Sequence, residues 1–543
     1  MTKRLVTMFF IVIGIILFVL TGFFLVLFMA PGFKAFGLTY ITYDARKYDS
    51  KEVLILDKVN ELGYNSFSGS ITLETEEVPV NVIFTNQNSY KIHYYENFSG
   101  LTKTNIDFPS MTFERDNLGG VKIKITGFEK TLFENSNTKR YVKLYIPLNQ
   151  VNSAIDGYKT DLTIKSERSD IVFERQITEG DERLASFNNL TIETNGDVKF
   201  SSVVKSNTYK FTTNNSIIVD SAYKKAAESK NYELESKSGR ITLENAISGN
   251  LTATTKNYDI KLVSCLNLNV KTNYGDVVCF KDDAKINVLG MVNIETKSGN
   301  VVLGKVSGGA ENKITTSSGK VTIDKINNGI IVTKRGSVKI KSLNNMKIET
   351  NMGKVFVEEA LTKVDVTTKR GKVELGGEGM TINNAKVFSR LGKVFIYSAT
   401  GTVNVQTISS DVSFTNKDSQ NVSIVAGGKL TAKGLIGHVD ISAEKNAEIE
   451  FDQITENATI AVGDKCKTLV VKAIKNSKND TRYVLSGKMV TRYEDNDNGT
   501  GTFSKIEASE NLTNKLDGTG PYLKVTGKNA DVSIYFKAEA SEE

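Results

Sequence analysis

The sequence predicts an all-β protein. Its body reads as a parallel β-helix, or β-solenoid, of about 13 or more rungs of about 20 residues. A small β-domain stands N-terminal to it, behind one N-terminal transmembrane helix. Three observations carry this reading: a ten-residue pattern that recurs around a tight turn, an uncharged apolar run near the N-terminus, and a strand-forming composition. With only 5 Pro and no Trp in 543 residues, and with abundant Val, Ile and Thr, the chain suits half-buried pleated surfaces. Length alone would suggest roughly three or four domains. A repeat array escapes that count because each unit buries its face on its neighbours.

Residues 1–34 form the transmembrane signal anchor. No charged side chain occurs from Leu5 to Phe33, and the apolar stretch from Phe9 to Met29 matches the roughly 20 residues that cross a bilayer. A cleavable h-region would be shorter, and Phe28-Met29-Ala30-Pro31-Gly32 is a poor cleavage site. Lys3 and Arg4 favour an internal N-terminus, Lys34, Arg46 and Lys47 weaken that bias, and long domains cross regardless of charge. Residues 35–543 are therefore expected outside the cell.

Residues 35–65 read as a polar juxtamembrane linker with one apolar run, Val53-Leu54-Ile55-Leu56. Residues 66–150 are strand-like but irregularly spaced, which suggests a small antiparallel β-domain capping the array.

The repeats occupy 151–430. Clean copies are Ile294–Leu303, Ile314–Ile323, Ile348–Val357, Val366–Leu375 and Val387–Ile396, all of the form apolar-x-Thr/Ser-x-x-Gly-x-Val-x-apolar. The turns are anchored at Ser169, Gly196, Asn215, Gly239, Tyr258, Gly275, Gly299, Gly319, Gly336, Gly353, Gly371, Gly392 and Ser410. Most anchors are Gly or Asn, the residues that tolerate positive φ in tight turns. A β-branched residue stands two positions after every anchor and an apolar one four after, so both share one strand face. Thr or Ser stands three before (two at Gly196 and Asn215), pointing the same way. A hydroxyl ladder bonded to itself or to the turn backbone is expected. Residues 431–538 read as the last rungs and a C-terminal cap, and 539–543 as a disordered tail.

The net charge of +7 is uneven: Lys285 to Lys372 holds sixteen Lys and Arg against seven Asp and Glu. Lys320, Lys354, Lys372 and Lys393 recur just after the anchor, with Ser337 interrupting, while Lys334, Arg335, Lys369 and Arg370 lie within two of the turns. Stacking would bring these eight into a basic stripe on one edge. Its bland role is a solvated, aggregation-resistant face; its functional role is an anion-binding stripe for an anionic glycan, a cell-wall or phosphate polymer, or lipid headgroups. Nucleic acid is not expected, because no aromatic stacking motif accompanies the charges.

Catalytic chemistry is not predicted. The two histidines, His93 and His438, fall in different regions, and there is no G-x-S-x-G and no phosphate-binding glycine loop. Cys265, Cys279 and Cys466 make neither a disulfide framework nor a zinc motif, and Cys279 reads as a small core residue. Glu494–Gly499 begins like a calcium loop, but Lys505 stands where the twelfth residue must be acidic, which leaves a hairpin turn. No cofactor or metal is expected, and nothing indicates an oligomeric state.

The runs Leu144-Tyr145-Ile146-Pro147-Leu148, Leu162-Thr163-Ile164-Lys165-Ser166 and Ser169-Asp170-Ile171-Val172-Phe173 resemble the bacterial putative-adhesin family of β-solenoid domains, over about residues 66–430. The resemblance implies an exported or membrane-anchored rod. Where that family tends to have Asp after the glycine, this chain often has Lys or Asn. The expected function is a non-enzymatic, cell-surface adhesin or structural rod. The alternatives are a membrane-tethered polymerising scaffold, similar to the way bactofilins use β-helices, and a carbohydrate-active enzyme, which would need clustered carboxylates.

Overall fold

A computed structural model describes residues 2–29, 42–47, 51–62, 68–102, 109–115, 119–127, 133–134, 139–148, 160–176, 185–200, 204–219, 231–244, 247, 249–279, 287–288, 290–309, 311–474, 482–495, 502–514 and 520–537. The tail 539–543 and the glycine of the calcium-like sequence, Gly499, lie outside them. Helix α1, Thr2–Met29, contains an 18-residue stretch, Val6–Phe23, of mean hydropathy 2.7, long and apolar enough to cross a membrane. The chain divides into two units, residues 1–255 and 256–543.

In the first unit, successive rungs lie parallel and in register on two sheets. On one, the strands stack in the order 121–126, 71–75, 162–166, 185–194, 204–213, 231–236 and 250–255. On the other the order is 139–147, 80–85, 171–176, 198–200, 217–219 and 241–243. This corrects the expectation of an antiparallel domain over 66–150. Ile71, Leu73, Val80 and Val82 have the same alternating burial as the later rungs, and parallel stacking is how that face leaves water. The rung 71–85 is sandwiched between a later one, 121–147, and the next, 162–176. Antiparallel strands then cover the outer side: Ser110–Arg115 on Val121–Thr126, and Lys91–Asn97 on Lys139–Tyr145.

The expected linker is also partly folded. Thr42–Lys47 and Lys51–Leu54 pair antiparallel with Lys91–Thr102, and helix α2, Ile55–Glu61, follows. The physical reason is the run noticed in the sequence, since Val53 and Ile55 are buried. Between the sheets runs an aromatic stack in which Phe173 lies 4.3 Å from Phe200 and 6.3 Å from Phe84.

In the second unit the inward columns are nearly continuous. Val277, Val301, Val321, Val338, Val355, Val373, Val394 and Val412 follow one another across parallel strands, every one buried. Each such side chain contributes about 1.5–3 kcal/mol by leaving water. Ile294, Ile314, Ile331, Ile348, Val366, Val387 and Val405 form the facing column. The strands of the two columns join at a second corner rich in asparagine, where Asn328, Asn345 and Asn384 have φ of 37, 35 and 51°. Buried Asn312 holds that corner: its Oδ1 accepts the Val292 N–H at 2.8 Å, and its amide donates to the Asn328 carbonyl at 2.9 Å.

Toward the C-terminus, Tyr522–Lys537 lies parallel on both Ala458–Val462 and Thr468–Ile474. Arg482–Asp495 stacks parallel on Tyr522–Lys537, and Phe503–Asn514 closes that end antiparallel. Cys265, Cys279 and Cys466 are free and buried; Cys279 donates from sulfur to the Val263 carbonyl, and burial pushes its thiol up to about 12.

Candidate functional site

The candidate site is the glycine-turn edge of the second unit, and its geometry begins with the buried hydroxyls. The N–H groups of Gly299, Gly319, Gly353, Gly371 and Gly392 donate at 2.9–3.0 Å to the hydroxyls of Thr296, Thr316, Thr350, Thr368 and Ser389. Thr333 donates back to the Gly336 carbonyl at 3.2 Å. The hydroxyl column thus caps the turn backbone within its own rung.

The glycines are selected by stacking, not by left-handed backbone. None of Gly275, Gly299, Gly319, Gly336, Gly353, Gly371 or Gly392 has positive φ. A Cβ on each of the last six would instead fall 1.8–1.9 Å from the carbonyl oxygen of the glycine one rung before. The tolerance of positive φ that Gly offers is not used at these anchors; those conformations occur at the asparagine corner and other loops.

Backbone bonds fix which turn residues lie side by side. The N–H groups of Val301, Val321, Val338, Val355, Val373 and Val394 donate to the carbonyls of Lys320, Ser337, Lys354, Lys372, Lys393 and Asp411 at 2.8–3.1 Å. That places Lys320, Lys354, Lys372 and Lys393 in one column broken by Ser337. Lys334 and Lys369 stand in a second column with Asn351 and Arg390, and Arg335 and Arg370 in a third with Met352 and Leu391. Arg390 was not singled out from the sequence, because the singled-out turns were the Lys-Arg pairs; its equivalence to Lys369 could have found it. Across the five turns 317–320, 334–337, 351–354, 369–372 and 390–393 there are nine cations and no carboxylate. At about 4.8 Å per rung these turns span roughly 19 Å.

Two of the nine are neutralised locally. Lys372 pairs with Glu374 at 2.8 Å and lies 4.5 Å from the centre of the Phe395 ring. Lys393 pairs with Asp411 at 3.2 Å, and the Lys429 backbone N–H together with that ammonium holds the Asp411 carboxyl below its ordinary range. Among the described residues the other seven make no ion pair, and all are exposed.

Elsewhere the position after the anchor does another job. Asp170, Asp197, Asp259, Asp276 and Asn300 each accept, through the side-chain oxygen, the backbone N–H of the equivalent residue one rung on, at 2.7–3.0 Å. Lys320 ends that run of latches. The lysines therefore replace an interaction that ties rungs together with charges directed to solvent. On the first unit, a 740 Å³ open groove has mixed charge instead, with Lys165 paired to Glu193 at 3.2 Å and Glu74 to Lys122 at 3.0 Å.

A parallel β-solenoid with hydroxyl-capped glycine turns is the class of protein that these features define. The profile of the Toastrack DUF4097 family matches residues 69–328, just under half of the chain, in keeping with the adhesin-family resemblance of its motifs. The in-register rungs continue past 328 through Val412. A solved structure of a putative cell adhesion protein from Clostridium sporogenes is similar at 9% identity and a TM-score of 0.20, covering 46% of this chain and 99% of the other. No curated protein matches.

Proposed function

We propose that this protein is a non-enzymatic, membrane-tethered β-solenoid rod on the cell surface, held by α1, whose basic turn edge engages anionic partners such as an acidic glycan or a cell-wall polymer. The observation that supports it most is the nine cations held by five successive turns, none of which contains a carboxylate. A stacked frame presents these charges at a fixed repeat, so many weak contacts to a linear polyanion act together. The Toastrack match supports a surface β-solenoid without assigning a ligand.

A polymerising scaffold is the weaker reading. The C-terminal end of the second unit is closed by an antiparallel strand carrying Lys505, Glu507 and Glu510, charges that blunt an edge. The observation that favours a carbohydrate-active enzyme is the first unit's groove, where Glu74, Glu76, Glu167, Glu193 and Glu235 share one lining; Lys124, Lys165, Lys210 and Lys237 stand among them and Lys165 pairs with Glu193, which makes this too a weaker reading.

The test is binding of the detergent-solubilised full chain to inorganic polyphosphate. Wild type should bind and release as salt rises, since exposed charges are screened. The variant K334Q/R335Q/K369Q/R370Q should bind about a hundredfold more weakly, as four contacts of about 0.7 kcal/mol imply. Equal affinity of variant and wild type would remove this edge from the function.

A further inference from the structure

The basic edge also carries apolar tips that binding to a soluble polyanion does not require. Met352, Leu391 and Ile408 are 47, 49 and 53% exposed. Arg335, Met352, Arg370 and Leu391 alternate on consecutive rungs of one column. Their order is fixed by N–H bonds from Met352 to the Lys334 carbonyl at 2.9 Å, from Arg370 to Asn351 at 2.7 Å and from Leu391 to Lys369 at 2.8 Å. Ile408 continues the neighbouring column beyond Arg390, and its N–H donates to the Ser389 carbonyl at 3.1 Å. Four successive rungs hold the three tips within roughly 14 Å of one another. The turns of Met352 and Leu391 are closed by buried Thr350 and Ser389 with a packed glycine, and that of Ile408 by Thr407, which donates to the Ser410 carbonyl at 2.8 Å, so these side chains stand outward on a stiff frame.

Apolar tips gain only by leaving water. The cations beside them exclude a purely apolar receptor and favour a surface that is anionic outside and apolar beneath. We propose that the turn edge between residues 317 and 410 docks on an anionic lipid bilayer, with the cations on the headgroups and Met352, Leu391 and Ile408 at the acyl boundary. The inference rests on the anion-binding reading of the same edge and names its partner as lipid rather than polymer. Each Lys or Arg at an anionic surface strengthens binding about fivefold, so the seven unpaired cations suffice without deep insertion. Stable attachment by surface contacts takes two signals, and here the second is α1 on the same chain.

The experiment uses the full chain in liposomes, either of neutral phosphatidylcholine or of a phosphatidylcholine–phosphatidylglycerol mixture. An environment-sensitive fluorophore is attached through Ser409→Cys, in the column of Met352 and Leu391. The emission should shift to the blue and brighten severalfold in the anionic liposomes and stay water-like in the neutral ones. The variant M352S/L391S/I408S should lose that shift while binding polyphosphate as wild type does and unfolding at an unchanged temperature. The variant K334Q/R335Q/R370Q should weaken docking roughly a hundredfold. Water-like emission in anionic liposomes, with polyphosphate binding intact, would overturn the lipid assignment and leave the polymer reading standing. Loss of both would remove both readings. A blue shift that survives the tip variant would also overturn the proposal, because the tips would then not be what meets the bilayer.

Discussion

Replacing Gly336 by alanine is expected to destabilise the second unit by about 3 kcal/mol or more, at the upper end of overpacking costs. The added Cβ would lie 1.8 Å from the Gly319 carbonyl oxygen and 2.9 Å from the Thr333 hydroxyl. Relief requires parting two rungs, and the rungs are held by parallel ladders on both sides of the turn, Thr316 beside Thr333 and Val321 beside Val338. The backbone atom cannot rotate away as a side-chain end would. Gly309→Ala is the matched control, because a Cβ there meets nothing within 4 Å, and its effect should stay within about 0.5 kcal/mol. Denaturant unfolding of the solubilised full chain, followed by far-ultraviolet circular dichroism, checks both. A turn glycine selected for positive φ would also fail on substitution; Gly336 lacks that φ, so the loss must come from stacking.

Phe173→Ala should cost about 4 kcal/mol in the first unit. Phe173 is fully buried and stacked on Phe200 at an interplanar angle of 22°, with Phe84 on its other side. Truncation opens a cavity between rungs and removes two ring contacts at once. Phe173→Leu keeps most of the volume and should cost clearly less. Because a solenoid couples nearest neighbours, amide exchange should quicken first in strands 80–85, 171–176 and 198–200. An alanine variant as stable as wild type would mean that this stack can collapse around the vacancy.

The repeat was legible because its period is written three times per rung: in the β-branched residue after the turn, in the apolar residue two further on, and in the buried Thr or Ser. Thr296, Thr316 and Thr350 lie where that spacing puts them, inward and against the turn. What was misread depends on long-range placement. Rung 71–85 looks irregular in sequence only because its stacking partner, 121–147, comes later and on the far side. Val53 and Ile55 looked like a stray apolar run because the strands that bury them lie some 40 residues on. The asparagine corner is hidden in the sequence for another reason: Asn328 and Asn345 mark a left-handed turn, whereas the more regularly spaced glycines mark close packing.

The candidate site was partly legible in the same way. Lysines at a fixed offset from the anchor necessarily stack once the rungs are parallel, so the Lys320–Lys354–Lys372–Lys393 column follows from the repeat alone. The pairing of Lys372 with Glu374 and of Lys393 with Asp411 does not, since it depends on side chains of the same and the next strand. Nor does the alternation of Arg335, Met352, Arg370 and Leu391, because nothing in a turn's local sequence says which neighbour it will meet.

The proposed surface rod requires the solenoid to stand outside the cell on a membrane tether, and protease shaving of intact cells reads that side of the membrane. The chain carries an epitope at its C-terminus, and lysed cells control for protease access. The epitope should be lost from intact cells and from lysate alike. Protection in intact cells with loss after lysis would place the solenoid in the cytoplasm and contradict the surface-rod reading.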